Sequence, residues 1–421
     1  MLAIFLSYNT YQKAGDDMVI GIIGGGASGM CAALAAARNP QAEVIVFERQ
    51  ARLGRKLLAT GNGRCNLTNM NAAADAYHGK QPEFVRAALS AFPVQKTLQW
   101  FRGMGLFTVA EDSGRVYPYS DQANSVVDVL RYAMAKSNIR LILGTAVSKV
   151  RKVGECFCVE CQDEKFPCDR VIIACGGLAG TKLGGSMSGY KLLKAMGHSV
   201  SKLRPALVQL KSSWKGCVSL KGVRANCHVT ILQDGTPFAQ SQGELQFTEY
   251  GISGPVIFEV SRDACAEKGV WEAKLDFLPD ISMKELCAEL ENRMQRELNA
   301  EDILTGILHN RLGRVLVSAA GIAATLPVSQ LKKGQIDDIC CLVKGLEIAL
   351  TDTMGMDSAQ VTAGGVLTAD FNPVTLQSRL VPGLYACGEV LDVDGDCGGY
   401  NLQWAWSSGY VAGCSAGEVS L

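Results

Sequence analysis

Three glycines near the start of the chain have the spacing of a phosphate-binding turn. Gly24, Gly26 and Gly29 form a G-x-G-x-x-G pattern between an apolar run of strand length, residues 19–23, and an alanine-rich stretch, residues 27–38. The first glycine permits a tight turn, the second lets the backbone approach a pyrophosphate, and the third permits close helix–strand packing. A helix N-terminus adds free N–H groups and partial positive charge. The pattern predicts a dinucleotide site formed by Gly24, Gly25, Gly26, Ala27, Ser28 and Gly29.

An acidic residue follows the second predicted strand. That strand, residues 43–47, ends at Glu48, which lies 24 positions after Gly24. A carboxylate at this place can accept hydrogen bonds from the ribose of an adenosine. Strand, glycine turn, helix, second strand and terminal acid together indicate a Rossmann-type nucleotide-binding unit.

A second glycine-rich segment lies near the other end of the chain. Residues 383–399 read GLYACGEVLDVDGDCGG, and a helical stretch follows them. A fold that binds only a nicotinamide cofactor needs the first glycine segment and has no evident use for the second. The two segments together therefore predict a flavin. No histidine or cysteine is clearly placed for covalent attachment, so we expect FAD to be bound non-covalently.

The order of predicted elements indicates an α/β fold with a discontinuous cofactor domain. Strands and helices alternate over residues 18–203, and the α/β character returns in residues 352–421. Between them, residues 204–278 are predicted to be a β-rich substrate domain, and residues 279–351 to be a mostly helical insert. Residues 1–17 precede the first strand, and we expect them to be a dispensable tail.

Composition and charge exclude several classes of function. The chain of 421 residues carries 41 basic and 41 acidic residues, which gives a formal net charge of zero. It has no basic stripe interleaved with aromatic residues, so we expect no nucleic-acid partner. No apolar run approaches the about 18 residues needed to span a bilayer, so we expect no membrane partner either. These features predict a cytoplasmic enzyme that acts on a small molecule.

The sixteen cysteines are expected to be reduced, because disulfide frameworks belong mainly to small secreted domains. Cys156, Cys158, Cys161 and Cys168 are spaced C-x-C-x2-C-x6-C. Thiolates at such spacing bind zinc or iron–sulfur groups in some proteins. However, residues 155–160 alternate as a strand does, which favours a surface hairpin and no metal site. The four histidines are scattered and form neither a metal nor a triad pattern.

Five segments closely resemble one protein family. They read RKLLATGNGRCNLTN (55–69), CGG (175–177), GELQFTEYGISGP (243–255), VTAGGV (361–366) and LYACGEVLDVDGDCGGYNLQWAWSSG (384–409). In these five segments the chain resembles the BaiN/YhiN-type flavoproteins, which are also called aminoacetone-oxidase-like FAD-dependent oxidoreductases. The resemblance runs from about Met18 to the C-terminus. It implies a Rossmann-like FAD-binding domain of the glutathione-reductase and fumarate-reductase type, interrupted by a β-barrel-like and a helical insert.

Residues of suitable chemistry for FAD lie in or near these segments. Arg49, Arg55 and Lys56 can neutralise a pyrophosphate, or they can form an ordinary solvated surface. The loop at residues 60–66 can approach the isoalloxazine ring through its glycines and polar side chains. Cys65 in this loop is more consistent with packing than with redox chemistry. The other expected cofactor contacts, some of which only the resemblance implies, are Asn62, Gly63, Arg64, Val147, Cys175, Gly176, Gly177, Gly388, Glu389, Asp392, Gly399, Tyr400, Asn401 and Leu402.

Catalytic candidates are fewer. Tyr400 could face the flavin ring or could be an ordinary packed aromatic residue, and the inserted domain offers Glu249 and Tyr250. The family often has a histidine at the position of Glu249, so a role that depends on that histidine does not transfer to this chain.

The favoured hypothesis is an FAD-dependent oxidoreductase that moves a hydride between flavin N5 and an organic substrate. The resemblance implies reduction of conjugated C=C bonds in bile-acid-type steroids for some relatives, and amine oxidation for others. The alternative class is a flavin-bearing RNA-modifying or structural protein. The chain has no second G-x-G-x-x-G, so NAD(P)H is expected to be at most a transient electron donor in the substrate pocket.

Overall fold

The computed structural model describes residues 18–421. The predicted tail at residues 1–17 lies outside the described part of the chain. The described residues form two compact units: one runs up to Leu203 and resumes with Val361–Leu421, and the other is Arg204–Gln360. No helix in residues 18–421 is both long enough and apolar enough to cross a membrane.

The strands in chain order are β1 Met18–Ile23, β2 Ala42–Glu48, β3 Thr68–Asn69, β4 Tyr77–His78, β5 Thr108–Ala110, β6 Arg115–Pro118, β7 Ile139–Leu143, β8 Val147–Val153, β9 Cys156–Cys161, β10 Glu164–Cys168, β11 Arg170–Ile173, β12 Arg204–Ala206, β13 Leu210–Ser212, β14 Arg224–Gln233, β15 Thr236–Thr248, β16 Gly251–Ser253, β17 Trp271–Asp276, β18 Leu346–Thr353, β19 Val361–Ala363, β20 Leu384–Ala386 and β21 Asp394–Gly395.

The α-helices are α1 Ala27–Ala36, α2 Val85–Ala91, α3 Val94–Gly103, α4 Ala123–Ala135, α5 Ser188–Ala195, α6 Gly216–Ser219, α7 Pro255–Val260, α8 Met283–Arg293, α9 Asn310–Ala319, α10 Lys333–Gly345 and α11 Tyr400–Ala416. Pro93 separates α2 from α3, because proline has no N–H to donate and fits only at a helix start.

The first unit is built on a five-stranded parallel sheet. Its strand order is β20-β11-β1-β2-β7, so β1 occupies the centre. The adjacent residues Ile22 and Ile23 of β1 point to opposite faces of the sheet and are both buried, as expected of a strand covered on both faces. The carboxyl end of β1 leads directly into the glycine turn and α1. The predicted α/β class with a Rossmann-like nucleotide-binding arrangement is confirmed.

The second unit contains a closed six-stranded barrel, so the expected barrel-like insert is confirmed. The barrel order is β13-β16-β15-β14-β17-β18. Its interior shares one hydrophobic core with α8, α9 and α10, since Leu275 of the barrel and Leu290 and Ile339 of the helices belong to the same buried cluster. The chain thus forms one inserted unit in which barrel and helices stabilise each other.

The insert predicted to be mostly helical, residues 279–351, ends in a strand that the sequence analysis did not predict. Residues 346–353 form β18, which closes the barrel by pairing with β13 and β17. Leu346, Ile348 and Leu350 are buried and alternate with exposed Glu347 and Ala349. This period of two is the signature of a half-buried strand, and the preceding helices obscured it in the sequence.

The cysteine-rich stretch folds as an antiparallel sheet. Strands β8, β9 and β10 pair in sequence order, with Cys158 opposite Pro167 and Cys161 opposite Glu164. In residues 18–421 no three His, Cys, Asp or Glu side chains are grouped so that they could hold a metal ion. All sixteen cysteines are free thiols.

Candidate cofactor site

The three glycines of the first motif have different physical constraints. Gly24 has a φ of +113°, and a Cβ there would lie 2.4 Å from the carbonyl oxygen of Ala174. A Cβ on Gly29 would lie 1.9 Å from the carbonyl oxygen of Gly24. Both positions therefore need glycine for the fold itself. At Gly26, by contrast, a Cβ would have no protein atom within 4 Å, so this position borders open space.

The N-terminus of α1 is suited to an anion. Gly26 is its N-cap residue and has no side chain that could satisfy the first amides. The first turn also carries no acidic residue. Unsatisfied N–H groups at a helix start attract phosphate oxygens. A pyrophosphate would therefore fit the space beside Gly26, which a larger side chain would occupy.

Glu48 lies at the end of β2 and contacts the glycine turn. One carboxylate oxygen accepts a 2.7 Å hydrogen bond from the amide of Gly25, and the other accepts a 2.7 Å bond from the amide of Gln50. A carboxylate has about four acceptor sites, so each oxygen keeps a lone pair for another donor. A ribose hydroxyl is a donor of the expected kind.

The predicted basic cluster does not converge on one point. The Arg49 guanidinium donates to the carbonyl oxygen of Gly184 at 2.6 Å, and Arg55 donates to the side-chain oxygen of Gln50 at 2.9 Å. Both arginines are exposed. Lys56 instead forms a 2.8 Å ion pair with Glu389, so the structure joins two predicted cofactor residues that are 333 positions apart.

Glu389 belongs to a cluster that includes the CGG segment. Its second oxygen accepts a 2.8 Å hydrogen bond from the amide of Thr362. A Cβ on Gly177 would lie 2.6 Å from that same oxygen, so the chain passes close to the carboxylate. Gly176 has a φ of +69° and borders open space, as Gly26 does. The closeness of the Glu389 carboxylate explains why a glycine is needed at position 177.

The loop at residues 60–66 has a strained backbone. Gly61 and the exposed Asn62 both have left-handed φ values, +56° and +57°. Arg64 pairs with Asp121 and Glu111, and its guanidinium lies 4.0 Å from the centroid of the Tyr117 ring. The Arg64 guanidinium is therefore engaged by protein side chains. Gly63 is exposed, and a Cβ added there would have no protein atom within 4 Å.

The two cysteines among the predicted cofactor residues are poor nucleophiles. Burial raises the pKa of the Cys65 thiol to about 12, and burial raises the pKa of Cys175 to about 12 as well. The Cys175 thiol also donates to the carbonyl oxygen of Ile23 at 3.4 Å. A thiolate carries out redox and nucleophilic chemistry, and both sites disfavour it.

A buried acceptor atom in the loop has no hydrogen-bond partner in the described protein. It is the side-chain oxygen of Asn66. A Cβ on Gly399 would lie 2.8 Å from this oxygen, so Asn66 faces the start of α11. Buried acceptors are nearly always satisfied, and an unsatisfied one indicates a donor from a ligand or water. The residues present therefore fit a cofactor with an N–H group, as the isoalloxazine of FAD has.

The second glycine segment forms the cap of α11. Gly398 and Gly399 have φ values of +122° and +102°, which side chains rarely adopt. A Cβ on Gly399 would lie 2.4 Å from the carbonyl oxygen of Thr68. The 17-residue helix then begins at Tyr400 with no acidic residue in its first turn. Its N-terminal dipole and amides can stabilise negative charge on a reduced flavin.

Asn401 and Tyr400 hold this cap in place. The Asn401 side chain accepts from the amide of Gly395 at 2.8 Å and donates to its carbonyl at 2.7 Å. Asn401 is thus engaged with the protein. The half-buried Tyr400 ring meets Tyr77 edge-on at 6.3 Å, and the Tyr77 hydroxyl donates to the Tyr400 carbonyl at 2.9 Å.

The remaining predicted cofactor residues occupy varied surroundings. A Cβ on Gly388 would lie 2.5 Å from the hydroxyl oxygen of Ser28, which brings the two glycine segments together. Buried Asp392 accepts a 3.3 Å bond from the amide of Lys80. Val147 begins β8, and Leu402 is partly buried against the core.

The two candidates in the inserted unit are placed differently from each other. Exposed Glu249 forms a 2.6 Å ion pair with Lys221, which also lies at the surface. Tyr250 is half-buried, and its carbonyl oxygen accepts a hydrogen bond from Ser212. Neither side chain is buried in a cluster of titratable groups.

Sequence reasoning missed three features that support the cofactor segments. Gln403 is fully buried and bonds to Thr68, directly after the 60–66 loop. His78 and Asp396 form a 2.7 Å pair beside the cap of α11. Gly409 and Gly413 bring α11 against α1, and their four-residue spacing was a visible signal in the sequence.

The chain matches one family model and is similar to several known proteins. The model of the HI0933-like protein Rossmann domain matches residues 18–415. The chain is 42% identical to the 3-dehydro-bile acid delta(4,6)-reductase of Clostridium scindens, over 95% of this chain and 99% of that protein. It is 32% identical to the ribosomal RNA dihydrouridine synthase of Escherichia coli K12, over 93% of this chain and 96% of that protein.

A solved flavocytochrome c3 fumarate reductase aligns with 95% of this chain and 78% of its own, at 15% identity and a TM-score of 0.47. The parallel sheet and the glycine turn define a Rossmann-type nucleotide-binding protein. The chain belongs to the HI0933-like family, so the resemblance to the BaiN/YhiN-type flavoproteins is confirmed, and the protein is an FAD-dependent oxidoreductase of that family.

Proposed function

We propose that this protein reduces a C=C bond conjugated with a carbonyl group in a small organic molecule, using FAD. The observation that carries the proposal is the 42% identity to the 3-dehydro-bile acid delta(4,6)-reductase over nearly the whole of both chains. A steroid enone or dienone acid is therefore the proposed substrate class. The dihydrouridine synthase named above also saturates a C=C bond next to a carbonyl, so the two relatives share a type of chemistry.

When bound and reduced, the flavin would supply a hydride to the substrate and become oxidised. The chain would hold the cofactor through the α1 N-terminus beside Gly26, through Glu48 at the ribose, and through the α11 N-terminus and Asn66 at the isoalloxazine. Lys56 and Glu389, which form an ion pair, are further residues that we propose for the cofactor site. The proposal for these residues rests on their local geometry.

The substrate also needs a proton at the carbon next to its carbonyl. Tyr400 is our candidate donor, because it opens α11 and its ring is only half-buried. A Tyr400→Phe variant should keep FAD and lose most of the turnover, whereas unchanged turnover would remove Tyr400 from the proposal.

The direct test uses enzyme whose flavin has been reduced in advance, with no NAD(P)H present. The purified protein is photoreduced anaerobically and mixed with a 3-oxo-4,6-diene steroid acid, and the return of oxidised flavin absorbance is followed. The matched control is the saturated 3-oxo acid. Rapid reoxidation by the dienone alone supports the proposal.

Two other outcomes would overturn it. Reoxidation by uridine-containing ribosomal RNA fragments, and not by the dienone, would favour the RNA activity of the more distant relative. Bleaching of the oxidised enzyme by a primary amine would favour amine oxidation, the other activity that the family resemblance implies. The neutral net charge argues against the RNA activity.

We further propose that NAD(P)H reduces the flavin by visiting the substrate pocket in a ping-pong cycle. The sequence has one G-x-G-x-x-G, and this one belongs to the FAD turn. Shared occupancy means that the saturated product should slow flavin reduction by NAD(P)H competitively in stopped-flow measurements. A stable ternary complex of oxidised enzyme, pyridine nucleotide and product would contradict this scheme.

A further inference from the structure

A fully buried amide lies on the second turn of α11. The Gln403 side-chain nitrogen is within hydrogen-bond distance of the Phe92 carbonyl oxygen (3.1 Å), the Thr97 hydroxyl (2.9 Å) and the Ser407 hydroxyl (2.9 Å). A carbonyl can only accept, so the amide nitrogen must face Phe92. This fixes the orientation of the amide and turns its oxygen toward Thr68, whose hydroxyl donates to it at 2.6 Å.

Three consecutive residues contact the start of α11 in this way. The carbonyl oxygen of Leu67 accepts a 2.9 Å bond from the indole N–H of Trp406. Thr68 donates to Gln403, and the Asn69 amide donates to the carbonyl of Gly398 at 2.8 Å. The backbone ladder of Thr68 and Asn69 runs to β6 instead. Three hydrogen bonds, each with at least one side-chain partner, therefore attach this segment to α11 and to Gly398 before it.

The attached segment follows directly after the loop at residues 60–66. That loop and the cap of α11 are the two elements that face each other at Asn66 and Gly399. The space around Gly399 has no room for a methyl group. A Cβ there would lie 2.8 Å from the Asn66 side-chain oxygen of the loop and 2.4 Å from the Thr68 carbonyl oxygen of the attached segment. A small shift of one element against the other would therefore change the geometry of the cofactor site.

We propose that Gln403 is a positioning residue which, through Thr68, sets the spacing between the 60–66 loop and the α11 N-terminus and so tunes the binding of FAD. Gln403 acts through its neighbours, and the contacts described above do not include the cofactor. The inference rests on FAD binding by the family and not on the proposed substrate. Failure of the dienone test would leave it intact.

The test compares two isosteric variants within the same buried network. Thr68→Val removes the hydroxyl that links the loop to α11 and leaves the Gln403 oxygen without a donor. Thr97→Val is the matched control, because Thr97 is equally buried but lies on α3, and the Gln403 nitrogen keeps two acceptors without it. The measurements are the melting temperature of the apoprotein, the dissociation constant of FAD and the visible spectrum of the bound flavin.

We expect Thr68→Val to raise the dissociation constant of FAD roughly tenfold and to shift the flavin spectrum, as the loss of one buried hydrogen bond allows. Thr97→Val should lower the apoprotein melting temperature and leave FAD affinity within about twofold of wild type. Thr68→Ser, which retains the hydroxyl, should restore wild-type affinity.

Equal effects of Thr68→Val and Thr97→Val on FAD affinity would overturn the proposal, because the network would then be only a stability element. An unchanged FAD dissociation constant in Thr68→Val would overturn it too. If Thr68→Val yields no folded protein, Thr68→Ala removes the same hydroxyl without adding a methyl group, and the same comparison applies.

Discussion

At the scale of single residues, the G-x-G-x-x-G motif combines two physical requirements. Gly24 and Gly29 are required because a Cβ would collide with backbone oxygens of the folded protein. Gly26 has no such neighbour, and its φ of −81° and ψ of −169° suit any residue. A side chain there would enter open space, which is where we propose that the pyrophosphate binds. The motif therefore contains both fold-determining and ligand-determining glycines.

Gly26→Val should consequently abolish FAD binding without destabilising the apoprotein. A β-branched side chain is compatible with the extended backbone at this N-cap, so the apoprotein melting temperature should stay within a few degrees of wild type. Gly29→Ala is the contrasting variant, because its Cβ would lie 1.9 Å from the Gly24 oxygen and should destabilise the fold. Thermal melts of both apoproteins and FAD titrations check this. FAD retention by Gly26→Val would contradict the placement of the pyrophosphate.

At the scale of elements, the position of the cofactor segments depends on close packing between α1 and α11. A Cβ on Gly409 would lie 2.4 Å from the Ser28 carbonyl oxygen, and a Cβ on Gly413 would lie 2.3 Å from that of Ala32. The glycine spacing of four residues puts both on one face of α11. Small residues on both helices permit this approach, and the N-terminus of each helix is one that we propose to contact the cofactor.

Gly413→Ala should therefore lower both stability and FAD affinity. Forcing a methyl group into a closely packed contact costs about 1–3 kcal/mol, because the helices must separate. Gly103→Ala at the end of α3 is a suitable control, since its Cβ would meet no atom within 4 Å. Urea unfolding of both variants and FAD titration measure the two effects. Wild-type stability in Gly413→Ala would show that the helices shift without cost.

At the scale of the whole molecule, two separate hydrophobic cores account for the two units. The first surrounds the parallel sheet, and the second joins the barrel to its helices. The first core also contains buried thiols. Burial raises the pKa of Cys65 and of Cys387 to about 12, against an ordinary value of 9.0. These thiols link the stability of the fold to alkaline pH.

The free energy of unfolding should fall as pH rises above 9. The folded-state pKa of these thiols is raised, so between pH 9 and pH 12 the unfolded chain loses protons that the folded chain keeps. Each such thiol contributes a decline of up to about 1.4 kcal/mol per pH unit. Cys65→Ala should make the decline shallower in urea unfolding at pH 8 to 10.5. Cys156→Ala, which removes an exposed thiol, should leave the decline unchanged. Equal slopes in wild type, Cys65→Ala and Cys156→Ala would contradict the role of the buried Cys65 thiol.

The sequence by itself determined the cofactor class and most of the architecture. The strand, glycine turn, helix and Glu48 follow one another locally, so their spacing was enough to predict a nucleotide site. The GNGRCN and GGYNLQWA segments identified the family in the same way. Local periodicity also predicted the cysteine hairpin.

Tertiary structure alone decided how distant residues meet. The pairs Lys56–Glu389 and Thr68–Gln403 are separated by more than 300 positions, and nothing in either local pattern indicates the partner. Strand β18 was missed for the same reason, because its pairing with the barrel overrides the helical context that precedes it. Local propensity determines elements, whereas long-range packing determines which side chains remain for the cofactor and which are held by the protein.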